Sequence, residues 1–349
     1  MRIGNARVFR FALPLKAGWR SARGGFSERS GWLLFLESDE GLPGWSECAP
    51  LPGEVMPPDP LWWHRELVGL DLARARDWLG RPDLSPAARC ALDVALADLM
   101  ARQAGLPLAR WLVPGADLAV PCNAAVGALG ESTLERALKA VDEGFALLKL
   151  KVGLMGVAQE LARLRELVNA LPSGVQLRLD ANRAWSEGQA RRFIAGLEGW
   201  PIEMLEEPLA SPDLELLGAM QRKTAIPLAL DESLPGLGME RVMASRAVRR
   251  LILKPMQLGG LHACVEWARQ AEEKGMACVV TTTLDSAAGT LAAAHLAAAL
   301  GNGLRHGLAT SSWLARDTGR APAITGGVMR LADLPGLGFE PDMDQLLPT

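Results

Sequence analysis

From about Leu118 onward the chain repeats one pattern: a short apolar run, an amphipathic stretch, then another short apolar run. The candidate strands are 119–126, 146–151, 175–180, 203–206, 227–231, 250–254, 276–283 and 304–308. Helical segments lie between them at 132–144, 157–170, 187–199, 213–223, 238–246, 261–274 and 286–300. Short apolar strands alternating with helices predict a parallel sheet, because a parallel connection needs a crossover long enough to hold a helix. Eight such units over roughly 200 residues match the size of a closed (β/α)8 barrel. The eighth unit is the weak one, since the sequence from Ser311 onward does not read as a helix.

Residues 1–113 follow another pattern. Ile3–Leu13 and Trp32–Glu37 read as strands on either side of a polar loop, Ala17–Gly31. Asp39-Glu40-Gly41 turns the chain into a third strand, Gly44–Cys48, and Pro50-Leu51-Pro52-Gly53 breaks it. Two helices follow, one over about Leu61–Leu79 and one from Ser85, an N-cap with Pro86 at the first helical position, to just before Gly105. Strands first and helices afterwards predict a small α+β domain. The predicted architecture is therefore an α/β chain: an N-terminal α+β domain at 1–113, then a (β/α)8-type, TIM-like barrel at 114–317. The Gly/Pro-rich tail, 318–349, with one short strand at Gly327–Leu331, is expected to return to the first domain.

Composition narrows the function classes. A formal charge of -3 with scattered basic residues gives no nucleic-acid surface. No uncharged stretch reaches membrane-spanning length, and Met1-Arg2-Ile3-Gly4-Asn5 does not begin a signal peptide. Cys48, Cys90, Cys122, Cys264 and Cys278 are odd in number, widely spaced and without a C-x-x-C, which argues for reduced thiols and a cytoplasmic setting.

The chemistry lies in charges that end the apolar strands. Lys149 and Lys151 close the second, two residues apart and so on one face. Asp180 ends the third strand, Glu206 the fourth, Asp231 the fifth and Lys254 the sixth, at intervals of 26, 25 and 23 residues. One strand, one helix and two loops fill such an interval, so these residues share one level at the C-terminal face, where barrel active sites are built. Three converging carboxylates repel one another unless a cation joins them, and hard oxygen donors suit Mg2+, with Mn2+ also possible. Burial and a neighbouring ammonium would favour a neutral amine, which makes these lysines candidate bases. A base beside a divalent cation suits removal of a proton α to a carboxylate.

K-x-K, D-A-N, E-E-P, D-E-S and K-P, in this order, resemble the enolase superfamily, in its muconate-lactonising subgroup. The resemblance covers nearly the whole chain and implies that residues 1–113 cap the barrel mouth. Leu177–Trp185 is similar to the third-strand motif of the o-succinylbenzoate synthases, and Gly44-Trp45-Ser46-Glu47 with Pro50–Gly53 is similar to their capping motif. That likeness implies a Mg2+-dependent lyase of menaquinone (or phylloquinone) biosynthesis. Its reaction is dehydration of 2-succinyl-6-hydroxy-2,4-cyclohexadiene-1-carboxylate, a small anionic dicarboxylate, to 2-succinylbenzoate.

It also implies roles. Asp180, Glu206 and Asp231 bind the metal, with Asn182 supporting them. Lys151 removes the α-proton and returns it to the departing hydroxyl. Lys254 stabilises the enediolate from the opposite face, and Lys149 tunes Lys151. Further substrate contacts are expected at Thr282 and Thr283, whose loop could equally be an N-cap alone. Gly259 and Gly260 are expected against the succinyl tail, or as a plain turn. Arg20, with Arg23 and Arg29, closes over the anion or stays solvated. His64, His262, His295 and His306 follow no catalytic spacing.

Lys254-Pro255-Met256-Gln257-Leu258-Gly259-Gly260 is as similar to the racemase branch as to the synthases, so an N-succinylamino acid racemase or a cycloisomerase is the alternative. A barrel that binds an anion without turnover is disfavoured, because no lysine or carboxylate is missing. Dipeptide epimerases of the subgroup carry an Asp-x-Asp after strand eight. Here that segment reads Gly307-Leu308-Ala309-Thr310-Ser311-Ser312, which argues against that activity.

Overall fold

Seven parallel strands form the barrel wall in sequence order: β5 (Ala124–Ala128), β6 (Leu147–Lys151), β7 (Gln176–Asp180), β8 (Ile202–Glu206), β9 (Leu228–Leu230), β10 (Arg250–Leu253) and β11 (Ala277–Val280). The structure, a computed structural model, describes residues 1–21, 24–51, 53–54 and 59–347, with the backbone alone at Arg20, Ser21 and Pro60. The expected eighth strand, 304–308, shrinks to two bridging residues. His306 pairs with Cys122 and Gly307 with Thr281. The His306 N–H donates to the Pro121 carbonyl (2.8 Å), and the Gly307 N–H to Val280 (2.9 Å) on the other side. That segment closes the ring between the first and last strands. The stretch after it holds only a 3-10 turn, Ser311–Trp313, where the eighth helix of a regular barrel would stand.

The first candidate strand, 119–126, divides at Cys122. Its start, β4 (Ala119–Pro121), leaves the barrel and pairs antiparallel with a strand of the tail, β13 (Val328–Arg330), which pairs in turn with β12 (Ile324–Thr325). Other tail residues meet the first 113: Leu347 pairs with Arg10, and the Leu337 N–H donates to Asp98 (2.6 Å).

The N-terminal sheet is β1 (Ile3–Ser21), β2 (Gly24–Ser38) and β3 (Pro43–Cys48), all antiparallel. The expected polar loop at 17–31 is mostly hairpin: Trp19 pairs with Phe26 and Ser21 with Gly24, after a register shift beyond Pro14. Its polar residues hid the alternation, while the ladder itself needs only backbone donors and acceptors. The helix Pro86–Gln103 is buried nearly all round, being packed on both sides. Its close seating on β3 requires Gly44, where a Cβ would lie 2.5 Å from the Ala95 carbonyl. The helix expected over 61–79 is broken into Pro60–Leu67 and Leu72–Asp77, with a short 3-10 turn after them. All five cysteines are free and buried, and among the described residues no helix is long and apolar enough to cross a membrane.

Strand periodicity sets what fills the barrel. Met204, Ala229, Ile252 and Val279 cluster together inside it, each two residues before Glu206, Asp231, Lys254 and Thr281. Arg178, two before Asp180, stands in the same layer and is fully buried. Its guanidinium donates to Glu203 (2.9 Å), Asn123 Oδ1 (2.9 Å) and the Arg305 carbonyl (3.0 Å). It thereby ties four parts of the ring together beneath the functional layer. Arg178→Met should lower unfolding free energy by about 3 kcal/mol or more, because removing one partner strands the buried acceptors. Thermal melting reads the loss, and a melting point unchanged within error would refute this account.

Candidate active site

The layer above Arg178 gathers the strand-end charges. Lys151 is opposite Asp180 in the β6–β7 ladder, and Asp180 is opposite Glu206 in the next. Asp231 and Lys254 follow the last residues of β9 and β10. One carboxylate oxygen from each of Asp180, Glu206 and Asp231 lies within 4.8 Å of the others, and all three residues are buried.

The lysines flank this triad. Lys149 Nζ donates to Glu206 Oε2 (2.5 Å) and lies 3.0 Å from Asp180 Oδ2. Lys151 Nζ donates to Asp180 Oδ2 (2.6 Å) and to Asn182 Oδ1 (2.8 Å). Lys254 Nζ comes from the other side, to Asp231 Oδ2 (2.6 Å). The Trp19 ring, from the N-terminal hairpin, stands 5.6 Å from Lys151 Nζ.

Local backbone geometry holds the carboxylates. Asn182, Arg183 and Glu207 have φ of 45°, 63° and 44°, left-handed values that cost a non-glycine residue about 1 kcal/mol or more each. Hydrogen bonds compensate. The Asn182 N–H donates to Asp180 Oδ1 (3.0 Å). Glu207 accepts from the Asp231 N–H (2.7 Å), the Ser233 N–H (2.9 Å) and Ser233 Oγ (2.7 Å). So the second glutamate of E-E-P turns away from the triad and fixes the next strand end.

The charges respond to one another. Burial would lower the Lys149 ammonium, but Asp180, Glu206 and Asp231 together outweigh it and hold Lys149 above its usual range. Lys254 is also raised, with Asp231 overcoming burial. The expectation of neutral amines is therefore not met at these two lysines. Their nearest neighbours are anions, and the two lysines carry the compensating charge. Burial pushes Glu206 up to about 7, Lys149 opposing and Asp180 and Asp231 adding. Asp180 is held well below the carboxylate range, burial being overcome by Lys149 and Lys151.

The triad fits a divalent cation. Its donors are hard oxygens, and Glu206 Oε1 and Asp231 Oδ1 are buried without a hydrogen-bond partner. Buried carboxylate oxygens of that kind are costly unless a cation meets them.

A cavity of about 990 Å³ opens over this layer. Lys149, Lys151, Lys254 and Asn182 line its floor, and Trp19, Phe26, Leu51 and Ser85 its N-terminal wall. Thr282 and Thr283 do face it, but their hydroxyls are engaged, with Thr310 Oγ1 (2.6 Å) and with Asp285. Nor is the N-terminus of the following helix, Ala287–Leu300, open to a substrate carboxylate. Glu47 accepts from Ser286 and Gly289 there, and Asp317 from the Ala287 N–H (2.7 Å). The caps are supplied from afar, and Ser286 of the loop makes no side-chain cap bond of its own.

Gly259 and Gly260 are not among the cavity's lining residues. Their positive φ values, 90° and 119°, bring the backbone against Arg89 and Asp93 of the N-terminal helix, where a Cβ on Gly260 would lie 2.4 Å from Asp93 Oδ2. The Arg20 side chain and Arg23 lie outside the described residues. Arg29 is buried under the cap and so is not a solvated loop charge.

Thr281, which the sequence offers in the same hydroxyl-bearing loop as Thr282 and Thr283, and Asn123 also line the cavity. Thr281 Oγ1 is buried, unpartnered and in the cavity wall, and the period of two from Val279 pointed to it. Asn123 lies beyond β4, where the strand divides, and carried no signal. The histidines are structural: His295 Nδ1 accepts from the Ala109 N–H (3.1 Å), His306 Nδ1 from Val280 (3.0 Å), and burial lowers them to about 4 and about 3.

Glu47 carries a pH consequence. Burial, with Asp285 adding, raises it from 4.5 to about 7. Between those values the folded chain keeps a proton that the unfolded chain has shed. Its contribution to stability is full below 4.5 and is lost as pH rises through about 7. Glu47→Gln, neutral throughout, should therefore gain melting temperature relative to the wild type as pH rises across that window. A difference independent of pH would refute the assignment.

The model of the enolase C-terminal domain-like family matches residues 132–345. The hydrophobic dipeptide epimerase of Enterococcus faecalis is 29% identical over 97% of this chain and 99% of its own. The o-succinylbenzoate synthase of Desulfotalea psychrophila is 30% identical over 70% of this chain and 67% of its own. A solved structure of the dipeptide epimerase from Enterococcus faecalis, complexed with Mg and dipeptide L-Leu-L-Tyr, is similar with a TM-score of 0.89 and 28% identity, over 97% of this chain and 99% of that one. A family match across most of the barrel, joined to an acidic triad flanked by lysines at its strand ends, establishes that the chain belongs to the enolase superfamily of enzymes.

Proposed function

We propose that this enzyme is an o-succinylbenzoate synthase, dehydrating 2-succinyl-6-hydroxy-2,4-cyclohexadiene-1-carboxylate to 2-succinylbenzoate. The observation that carries the reading is the segment after the closing bridge. Gly307, Ala309 and Thr310 line the cavity there and bring no carboxylate to receive a substrate ammonium. Among the described lining residues, the carboxylates are Glu232, next to Asp231, and the exposed Glu54 and Asp83. Three lysines and several hydroxyls suit a substrate that is anionic throughout.

In this reading Asp180, Glu206 and Asp231 hold Mg2+, or Mn2+. Bound there, the metal would supply positive charge that favours an enediolate over the parent carboxylate. Lys151 Nζ takes the α-proton, guided by Asn182 Oδ1 at 2.8 Å. The same ammonium then returns that proton to the departing hydroxyl. The C–O bond breaks, one water leaves, and the ring becomes aromatic. Lys254, on the Asp231 side, places its charge against the electron-rich intermediate. Lys149 bridges Asp180 and Glu206 and keeps both oriented. Residues 1–113 serve as the cap over the barrel, 114–317, and the tail, 318–349, ties the two.

The test is an ultraviolet assay with the cyclohexadiene carboxylate and Mg2+, in which the aromatic product should appear. A second reading draws on the epimerase relatives and on lysines standing on both sides of the triad. It makes the enzyme a racemase in which one of Lys151 and Lys254 removes the α-proton and the other delivers a proton to the opposite face. That reading wins if the cyclohexadiene substrate is untouched while an N-succinylamino acid or a dipeptide exchanges its α-proton with solvent.

A further inference from the structure

The motif Gly44-Trp45-Ser46-Glu47 takes no part in that chemistry, yet it ends in a carboxylate only 2% exposed. Glu47 reaches from β3 to the start of the helix Ala287–Leu300. Its Oε2 accepts from the Ser286 N–H (3.0 Å), Ser286 Oγ (2.6 Å) and the Gly289 N–H (3.0 Å). Helices are usually capped by their own flanking residue. Here the acceptor comes from another part of the fold, 239 residues away. The fit allows only glycine at 289, where a Cβ would stand 2.8 Å from Glu47 Oε2.

Arg29, 1% exposed, completes the junction. It donates to the Pro50 carbonyl (2.5 Å), the Ala49 carbonyl and Thr283 Oγ1 (3.4 Å), and lies 3.9 Å from Asp285. Each segment joined here continues into the cavity wall: β2 to Phe26, Pro50 to Leu51, and Thr283 to Thr281. A break at the junction would let the hairpin side and the barrel loop separate, while leaving the triad and its lysines where they are.

We propose that Glu47 and Arg29 are positioning residues, a buried clamp that fixes the loop 281–286 against the N-terminal wall and so sets the shape of the cavity. The clamp acts on how the substrate is held and not on the proton transfer. It is independent of which substrate the enzyme takes.

The experiment compares the full-length wild type with Glu47→Ala. Amide hydrogen exchange is followed across 24–29 and 281–289, and kcat and KM are measured on whichever substrate the wild type turns over. Exchange in 281–289 should speed by about ten-fold or more while β6, β7 and β8 stay unchanged, and KM should rise about ten-fold with kcat within about three-fold. Added formate, a carboxylate small enough for the vacated position, should restore part of both. Unchanged exchange in 281–289, or a fall in kcat with KM constant, overturns the clamp. If Glu47→Ala does not fold, Ser286→Ala removes one donor and should show the same pattern at smaller size, or overturn it. If the cyclohexadiene substrate proves wrong, exchange decides the clamp alone, so the two proposals fail separately.

Discussion

Lys151→Ala should lower turnover of the cyclohexadiene carboxylate by about 10⁴-fold or more, with Mg2+ binding retained. The size follows from one amine serving twice, first as base and then as acid. A water in its place would have neither its basicity nor its fixed position beside Asn182 Oδ1. Lys149 cannot substitute, because its ammonium is already held between Glu206 and Asp180. Lys254 lies on the Asp231 side of the triad and, in the proposed mechanism, would meet the other face of the substrate. Lys254→Ala should therefore cost less than Lys151→Ala in dehydration, where it removes charge but no proton carrier. In a racemase each lysine would serve one enantiomer, and each variant would lose exchange from one hand only. Single-turnover deuterium exchange separates these cases. Activity within ten-fold of wild type in Lys151→Ala would remove that residue from the mechanism.

Glu206→Gln should weaken Mg2+ binding by about 100-fold or more, since even supporting residues of metal sites cost 10–100-fold. The substitution keeps the shape but removes the charge beside two further carboxylates. It also leaves the Lys149 ammonium without its partner at 2.5 Å. The readout is thermal. Mg2+ should raise the melting temperature of the wild type in proportion to occupancy and leave that of the variant nearly unchanged. Glu207→Gln is the control, because that side chain faces the Asp231 N–H and Ser233. It should shift the melting temperature yet keep most of the Mg2+ response. If Glu207→Gln abolishes the response and Glu206→Gln does not, the two glutamates have been assigned the wrong way round.

Why these charges could be found in the sequence and others could not has a physical basis. Asp180, Glu206, Asp231 and Lys254 each end an apolar strand, and the barrel turns equal intervals along the chain into equal height in space. That regularity survives without coordinates. Glu47 shows the opposite case: its partners at Ser286 and Gly289 are set by packing between distant segments, and no spacing announces them. Gly259 and Gly260 announce a special backbone but not its neighbours, which are Arg89 and Asp93. The hairpin beyond Pro14 was hidden because its exposed side chains carry no alternation. The charge state of Lys149 and Lys254 was misjudged since burial is visible as an apolar run, whereas the carboxylates around each of these ammonium groups emerge only in three dimensions.

The division of the first barrel strand at Cys122 bears on how the chain matures. β4 is held by β13, and the ring is shut by His306 and Gly307. Both partners are made late in synthesis, while β4 and β5 are made early. As the chain leaves the ribosome, the first barrel strand has only one neighbour until the far end emerges. The opposite edge, at β11, waits in the same way. Vectorial folding can therefore build the N-terminal sheet and a growing arc of barrel, but β4 must wait for residues near 330 and ring closure for His306 and Gly307. Nascent chains that stop short of that point would carry two exposed parallel edges, the kind of surface that chaperones shield.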